Sequence, residues 1–231
     1  MHFAANAHLL SPVAGYRQAG VSSYIDQLLR RLLRASDDRW TVYAPPSVRE
    51  ILQPPPNVHV RESRLPTTNP LARILWEQAV APMVLLRDRP ATIFCPLNVI
   101  PLLARCPAVV TVHDLAFLRF PERFRPAKQR YLAALARLSV RRAAHVLTVS
   151  EFTRGEVIAL LGADPGRVTA LPNGRDERLG PLPADKVAAF REEQRLPERF
   201  LLFVGTLEPR KNLATLLRAF ALSRPALDMP L

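Results

Sequence analysis

Short β-rich runs alternate with helix-patterned stretches along most of this 231-residue chain, and that alternation allows few architectures. The runs are Thr41-Val42-Tyr43-Ala44, Val58-His59-Val60, Thr92-Ile93-Phe94-Cys95, Ala108-Val109-Val110-Thr111-Val112, His145-Val146-Leu147-Thr148-Val149 and Val168-Thr169-Ala170-Leu171. Helical patterns occupy about 70–88, 127–143 and 153–162 between them. Strands and helices in alternation predict an α/β fold, a parallel sheet with helices on both faces. The strongest helical signal starts at Gly20. Val21, Tyr24, Ile25, Leu28, Leu29, Leu32 and Leu33 form one apolar stripe, with Asp26, Gln27, Arg30, Arg31 and Arg34 opposite. Ser22 and Ser23 are candidate caps at its start, and Pro54-Pro55-Pro56 reads as a turn.

A loop at Pro172-Asn173-Gly174-Arg175-Asp176, followed by Gly180-Pro181-Leu182-Pro183, marks the expected domain boundary. The reading is a first domain over 1–178, a linker with a polar helix over 179–199, and the start of a second α/β domain over 200–231. In the last segment Phe200-Leu201-Leu202-Phe203-Val204 predicts a strand that meets Gly205 and leads to a helix near Asn212. An independently folding domain needs about 50 residues or more, so the second unit is expected to be incomplete and the chain to be a fragment.

Hydrophobic residues make up 48% of the chain, enough to bury a core. No run of about 18 uncharged apolar residues predicts a membrane-spanning helix, and the N-terminus lacks a signal-peptide pattern. The expected location is cytoplasmic, extending to the inner face of the membrane. Cys95 and Cys106 form no CxxC pair, which argues against a zinc site or a disulfide framework and for buried thiols. The net charge of +12 comes almost wholly from arginine, since Lys128, Lys186 and Lys211 are the only lysines. The charges are scattered and do not interleave with aromatic residues, which argues against nucleic acid as a partner. A membrane surface or an anionic lipid-linked substrate asks only for a diffuse basic face.

Four constellations could carry chemistry. Gly15-Tyr16-Arg17-Gln18-Ala19-Gly20-Val21 leads into the amphipathic helix, where backbone N–H groups attract phosphate oxygens, although a plain tight turn explains it equally well. Val112-His113-Asp114 puts two polar residues at the carboxyl end of a strand, where open α/β sheets bind ligands. There His113 could donate to a sugar hydroxyl or orient a phosphate, with Asp114 fixing its tautomer or capping the next turn. Val149-Ser150-Glu151-Phe152-Thr153-Arg154-Gly155-Glu156 contains a Thr153-x-x-Glu156 capping box, with Ser150 as a second cap and Glu151 as a candidate cleft residue. Gly205-Thr206-Leu207-Glu208-Pro209-Arg210-Lys211-Asn212 sets adjacent cations before a helix start, a pair able to neutralise a diphosphate.

In this order and spacing the four pieces resemble the family 4 (group 1) glycosyltransferases of the GT-B architecture. Ala5-Asn6-Ala7-His8-Leu9-Leu10-Ser11 through Gly20-Val21-Ser22-Ser23-Tyr24 resembles that family's first strand, glycine loop and helix. Val204-Gly205-Thr206-Leu207-Glu208-Pro209-Arg210-Lys211-Asn212 is similar to the entry to its donor-binding domain. The resemblance implies a Rossmann-like N-terminal, acceptor-side domain plus the start of a second Rossmann-like unit. It also implies retaining transfer of a sugar from a nucleotide-diphosphate donor to a saccharide or lipid-linked acceptor, without a metal or other cofactor. Its implied catalytic residues are His113, Arg210 and Lys211. Its implied substrate-binding residues are Gly20, Val21, Tyr24, Asp114, Glu151, Asn173, Gly205 and Thr206. The family's pair of glutamates seven residues apart has no counterpart here, and Thr206 stands where many relatives carry arginine. Two other readings remain open on the residues alone: a nicotinamide-binding Rossmann protein, against which the missing GxGxxG counts, and a non-catalytic binding module.

Overall fold

The computed structural model describes residues 1–10, 20–175, 180–205, 207, 209–224 and 229–230, with the Arg210 side chain left out. Most of the glycine loop (Gly15–Ala19) and Thr206 therefore lie outside the described residues. The chain divides into two compact units, Met1–Gly174 and Arg175–Leu231.

The described residues of the first unit form seven strands: β1 (His2–Asn6), β2 (Arg39–Ala44), β3 (Val58–Glu62), β4 (Thr92–Cys95), β5 (Ala108–Val112), β6 (His145–Thr148) and β7 (Val168–Ala170). Every pairing is parallel, in the order β3-β2-β1-β4-β5-β6-β7. The chain winds outward from β1 through β3, then returns to the other side of β1 at β4. The switch point of the sheet thus lies between β1 and β4, and ligands of open α/β sheets bind outside the carboxyl ends there.

Side chains alternate between two apolar layers along each strand. Ala4, Tyr43, Ile93, Cys95, Val110 and Val112 enter one layer, and Ala5, Val42, Ala44 and Phe94 enter the other. Burial on both faces is why these strands read as continuous apolar runs. Cys95 is buried, Cys106 half-buried, and both are free thiols. Among the described residues no helix is long and apolar enough to cross a membrane.

Helix α1 (Val21–Leu32) buries Ile25 and Leu29, followed by Leu33 just past its end, and half-buries Val21, Tyr24, Leu28 and Leu32. Its cap is Gly20, at φ 58°, and not Ser22 or Ser23, because the positive φ that glycine permits starts the helix before either serine. Arg30 bonds Asp26 at 2.8 Å and also donates to the Ile51 carbonyl at the end of α2 (Val48–Leu52).

The stretch at 70–88 is not one helix. Asn69 caps α3 (Pro70–Leu75), a widened π turn covers Trp76–Val80, and α4 (Ala81–Asp88) follows. Pro82 explains the break: an ordinary helix would press its ring on the Gln78 carbonyl and lack the N–H to bond it. The extra residue lets Trp76 and Glu77, adjacent in sequence, both be buried.

Beyond β5 lie α5 (Ala116–Arg119), α6 (Pro126–Arg142) and α7 (Glu151–Leu161). The cap of α7 is Ser150, whose Oγ accepts from Thr153 N at 3.1 Å. Thr153 and Glu156 consequently form no capping box. Both face inward, and Glu156 pairs with Arg119 of α5. The pair is asymmetric, with side-chain exposures of 53% for arginine and 8% for glutamate. Arg119→Ala would strand a buried carboxylate and should cost about 3 kcal/mol, whereas Glu156→Gln leaves a hydrated arginine and should cost about 1 kcal/mol. Urea unfolding of the two variants checks the order, and equal losses would refute it.

Among its described residues the second unit contains α8 (Ala184–Glu193), a 3₁₀ turn (Pro209–Lys211) and α9 (Leu213–Ser223). The expected helices form, but Phe200–Val204 is not a strand. No neighbouring strand among the described residues offers it a ladder, and Leu202 and Val204 stay exposed.

Candidate functional site

His113 follows directly on β5, whose last residue, Val112, is buried. Its Nε2 lies 2.8 Å from the Pro96 carbonyl, just past β4. A carbonyl only accepts, so Nε2 carries the proton and Nδ1 is left as an acceptor. The His113 amide donates to Asn98 Oδ1 at 3.3 Å, while Asn98 N donates to Thr111 O at 2.8 Å. The loops after β4 and β5 are thereby tied together. Burial lowers the His113 pKa, against smaller upward pulls from Pro96 and Asp114, so the ring is neutral at pH 7.

Of the two roles open to Asp114 the structure shows the second, the cap of the next turn, and the donor role expected of His113 is corrected. The tautomer is fixed by a backbone carbonyl, not by Asp114, whose Oδ1 accepts from Ala116 N at 3.1 Å and opens α5. Consecutive residues leaving a strand point to opposite sides, so Asp114 cannot follow His113 inward. With the N–H engaged, His113 offers a sugar hydroxyl an acceptor and not a donor.

The structure joins the start of α1 to this histidine. Tyr24 meets the His113 ring edge-on, with centroids 4.7 Å apart at 89°, and its hydroxyl lies 3.1 Å from Thr111 Oγ1. One turn earlier are Gly20, exposed and as a glycine bringing no capping side chain of its own, and Val21, half-buried. Gly20, Val21, Tyr24, His113 and Asp114 therefore share the carboxyl edge of the sheet near the switch point.

Glu151 opens α7 at the end of β6. It is exposed, 3.6 Å from Arg154 Nη1, and no described bond links it to His113. Asn173 is exposed in the loop after β7. Gly205 and Lys211 belong to the second unit, where both are exposed and Lys211 closes the 3₁₀ turn before α9.

With this geometry in hand, the sequence matches the profile of Glycosyltransferase Family 4 over residues 19–179. The chain belongs to glycosyltransferase family 4. Two curated relatives are similar to it. O-antigen chain mannosyltransferase B of Escherichia coli is 33% identical over 116 residues, covering 50% of this chain and 30% of that protein. O-antigen chain mannosyltransferase RfbU of Salmonella typhimurium is 24% identical over 164 residues, covering 71% and 42%. The chain thus spans less than half the length of these relatives. Among solved structures, Anabaena Alr3699/HepE in complex with UDP superposes with a TM-score of 0.66 at 19% identity, over all of this chain and 61% of that one. A glycosyltransferase from Rickettsia africae superposes at 0.52 with 11% identity, covering 86% and 50%. These likenesses agree with the Rossmann-like parallel sheet described above.

This family member also carries a polar cluster that pattern reading missed, at the tip of β1. Asn6 Nδ2 donates to buried Glu77 at 3.3 Å, and Asn6 Oδ1 accepts from His8 N at 3.2 Å. His8 is 3% exposed, lies against Trp76 with centroids 4.0 Å apart and ring planes tilted by 57°, and bonds Thr67 through Nδ1 at 2.9 Å. Arg73 approaches Glu77 at 4.0 Å. Burial raises the Glu77 pKa to about 7, opposed by Arg73 and Asn6, and lowers that of His8 to about 3, helped by Arg73. A carboxylate inside a helical stretch reads as solvent-facing. Only the closeness of Asn6-x-His8 to a strand end hinted at this cluster.

Proposed function

We propose that this chain is the acceptor-side domain and donor-domain entry of a retaining glycosyltransferase. The enzyme moves a sugar from a nucleotide-diphosphate donor to a saccharide or lipid-linked acceptor in cell-envelope polysaccharide or glycolipid synthesis. The observation that carries this reading is the neutral, orientation-locked His113 at the carboxyl edge of β5, touching Tyr24 in the first turn of α1. O-antigen mannosyltransferases among the relatives favour a polysaccharide acceptor, and the UDP-bound neighbour favours a nucleotide-sugar donor.

In this reading His113 Nδ1 accepts from a hydroxyl of the transferred sugar, fixing the ring as its anomeric bond to phosphate breaks. Arg210 and Lys211 take up the charge that develops on the departing diphosphate, a form of stabilisation that is often the largest catalytic contribution. Amides following Gly20 supply further donors. Neither a metal nor another cofactor is required where two cations neutralise the leaving group. The reading also includes peripheral contact with the inner face of the membrane.

Calorimetry with UDP- and GDP-sugars on the protein that contains this chain tests the donor assignment. Lys211→Ala should weaken donor binding by about 1.5–3 kcal/mol, the range for a hydrogen bond to a charged group. An unchanged Kd would remove Lys211 from the site.

A further inference from the structure

Between Leu115 and Ser150 the chain carries eight arginine or lysine residues against a single acid, Glu122, a net +7 out of the total +12. The arginines that look scattered in sequence are gathered by folding. Helix α6 contains Lys128, Arg130, Arg137, Arg141 and Arg142 and no acidic residue in its 17 positions. Its inner side is set by Ala136, Ser139 and Val140, which are buried, with Leu132 and Ala133 packed beside them. On the opposite side Ala127, Arg130, Ala134, Arg137, Leu138 and Arg141 recur at helical spacing, and every one is exposed.

We infer that this outer face of α6 is a docking surface for an anionic phospholipid membrane. It takes up the membrane contact of the proposed function, but needs no transfer reaction to be tested, so either can fail alone. Charge complementarity argues for the occupant, since an unbroken cationic face in water attracts a negatively charged surface. The composition between the charges then selects a lipid surface. Small and aliphatic residues, Ala127, Ala134 and Leu138, separate the arginines, and Leu138 is 49% exposed. Phe120, just before the helix, is 45% exposed with the Arg123 guanidinium 4.8 Å over its ring. This is the make-up of a basic helix lying in the headgroup layer, with stems and apolar groups reaching toward the acyl boundary. Nucleic acid asks instead for a series of aromatic platforms on which bases stack, and the outer positions of α6 carry none. Arg137 and Arg142 donate to the carbonyls of Leu160 and Ala104, which holds their side chains against the body of the unit and keeps their charge at the surface.

The test is sedimentation of the full chain with vesicles of phosphatidylcholine alone and of phosphatidylcholine mixed with phosphatidylglycerol. Binding is expected only to the mixed vesicles and should weaken as salt is raised. At about 1 kcal/mol for each basic residue near the surface, the triple variant Arg130→Gln, Arg137→Gln, Arg141→Gln should partition about 100-fold less. A control with the same charge change elsewhere, Arg34→Gln, Arg195→Gln, Arg199→Gln, should partition nearly as the parent does. These are exposed surface positions, and circular dichroism verifies that both variants stay folded. Failure of the parent to bind mixed vesicles, equal loss in the two variants, or tighter binding to a short DNA duplex in the same buffer would each overturn the assignment.

Discussion

Glu77→Gln should leave stability little changed near pH 4 and raise it by about 3 kcal/mol at pH 8, relative to the unsubstituted chain. The folded carboxyl titrates near 7 and the model carboxyl at 4.5. Between those values the folded state holds a proton that the unfolded state has released, so stability falls as pH rises through that window. Each unit of difference is worth about 1.4 kcal/mol. His8 works in the opposite sense. Its folded value is about 3 against 6.5, so stability is present above 6.5 and is lost as pH falls toward 3. From pH 4.5 to 6.5 the two slopes oppose, and one substitution unmasks the other group. Glu77→Gln should steepen the acid-side loss, while His8→Gln should expose the alkaline-side loss. Arg73, Tyr131 and Cys95 face the same carboxyl, and burial prevails over the one favourable charge. Urea unfolding across pH 4–8 decides the matter. Identical pH dependence in the parent and Glu77→Gln would mean that folding does not shift this carboxyl.

The second large effect concerns chemistry. In the protein containing this chain, His113→Ala should lower kcat/KM for sugar transfer by about 100- to 1000-fold, the scale for losing one preorganised hydrogen-bonding group at a reacting centre. Because burial lowers the pKa of the ring, any fall in the parent's rate on His113's account should come at lower pH than a free imidazole would give. The contact with Tyr24 means that thermal unfolding must accompany the assay. A variant as stable and as active as the parent would take His113 out of the site.

The sheet was legible because both faces are covered: residues such as Val109, Val110 and Val112 are apolar whichever way they point. Helix α1 was legible for the complementary reason, since a half-covered cylinder repeats at 3.6 residues. What could not be read depended on partners distant in sequence. Glu77 is placed by Asn6, 71 residues away, and Glu156 by Arg119, 37 residues away. Local pattern gave no reason to single out the first and made the second half of a cap. Phe200–Val204 has the composition of a strand, but a strand is defined by its neighbour, and composition cannot supply one. His113 was found through its position after β5. Its proton was misassigned, because the group that fixes it is a carbonyl, which no side-chain pattern reveals.

That last point bears on how easily the site can be lost over evolutionary time. Any side chain that steers a histidine can be erased by a change in one codon, but the main-chain oxygen of residue 96 survives every replacement at that position. Only an insertion or deletion that moves the end of β4 would withdraw it. The ring's orientation is thus carried by the architecture of the sheet, leaving the surrounding side chains free to vary.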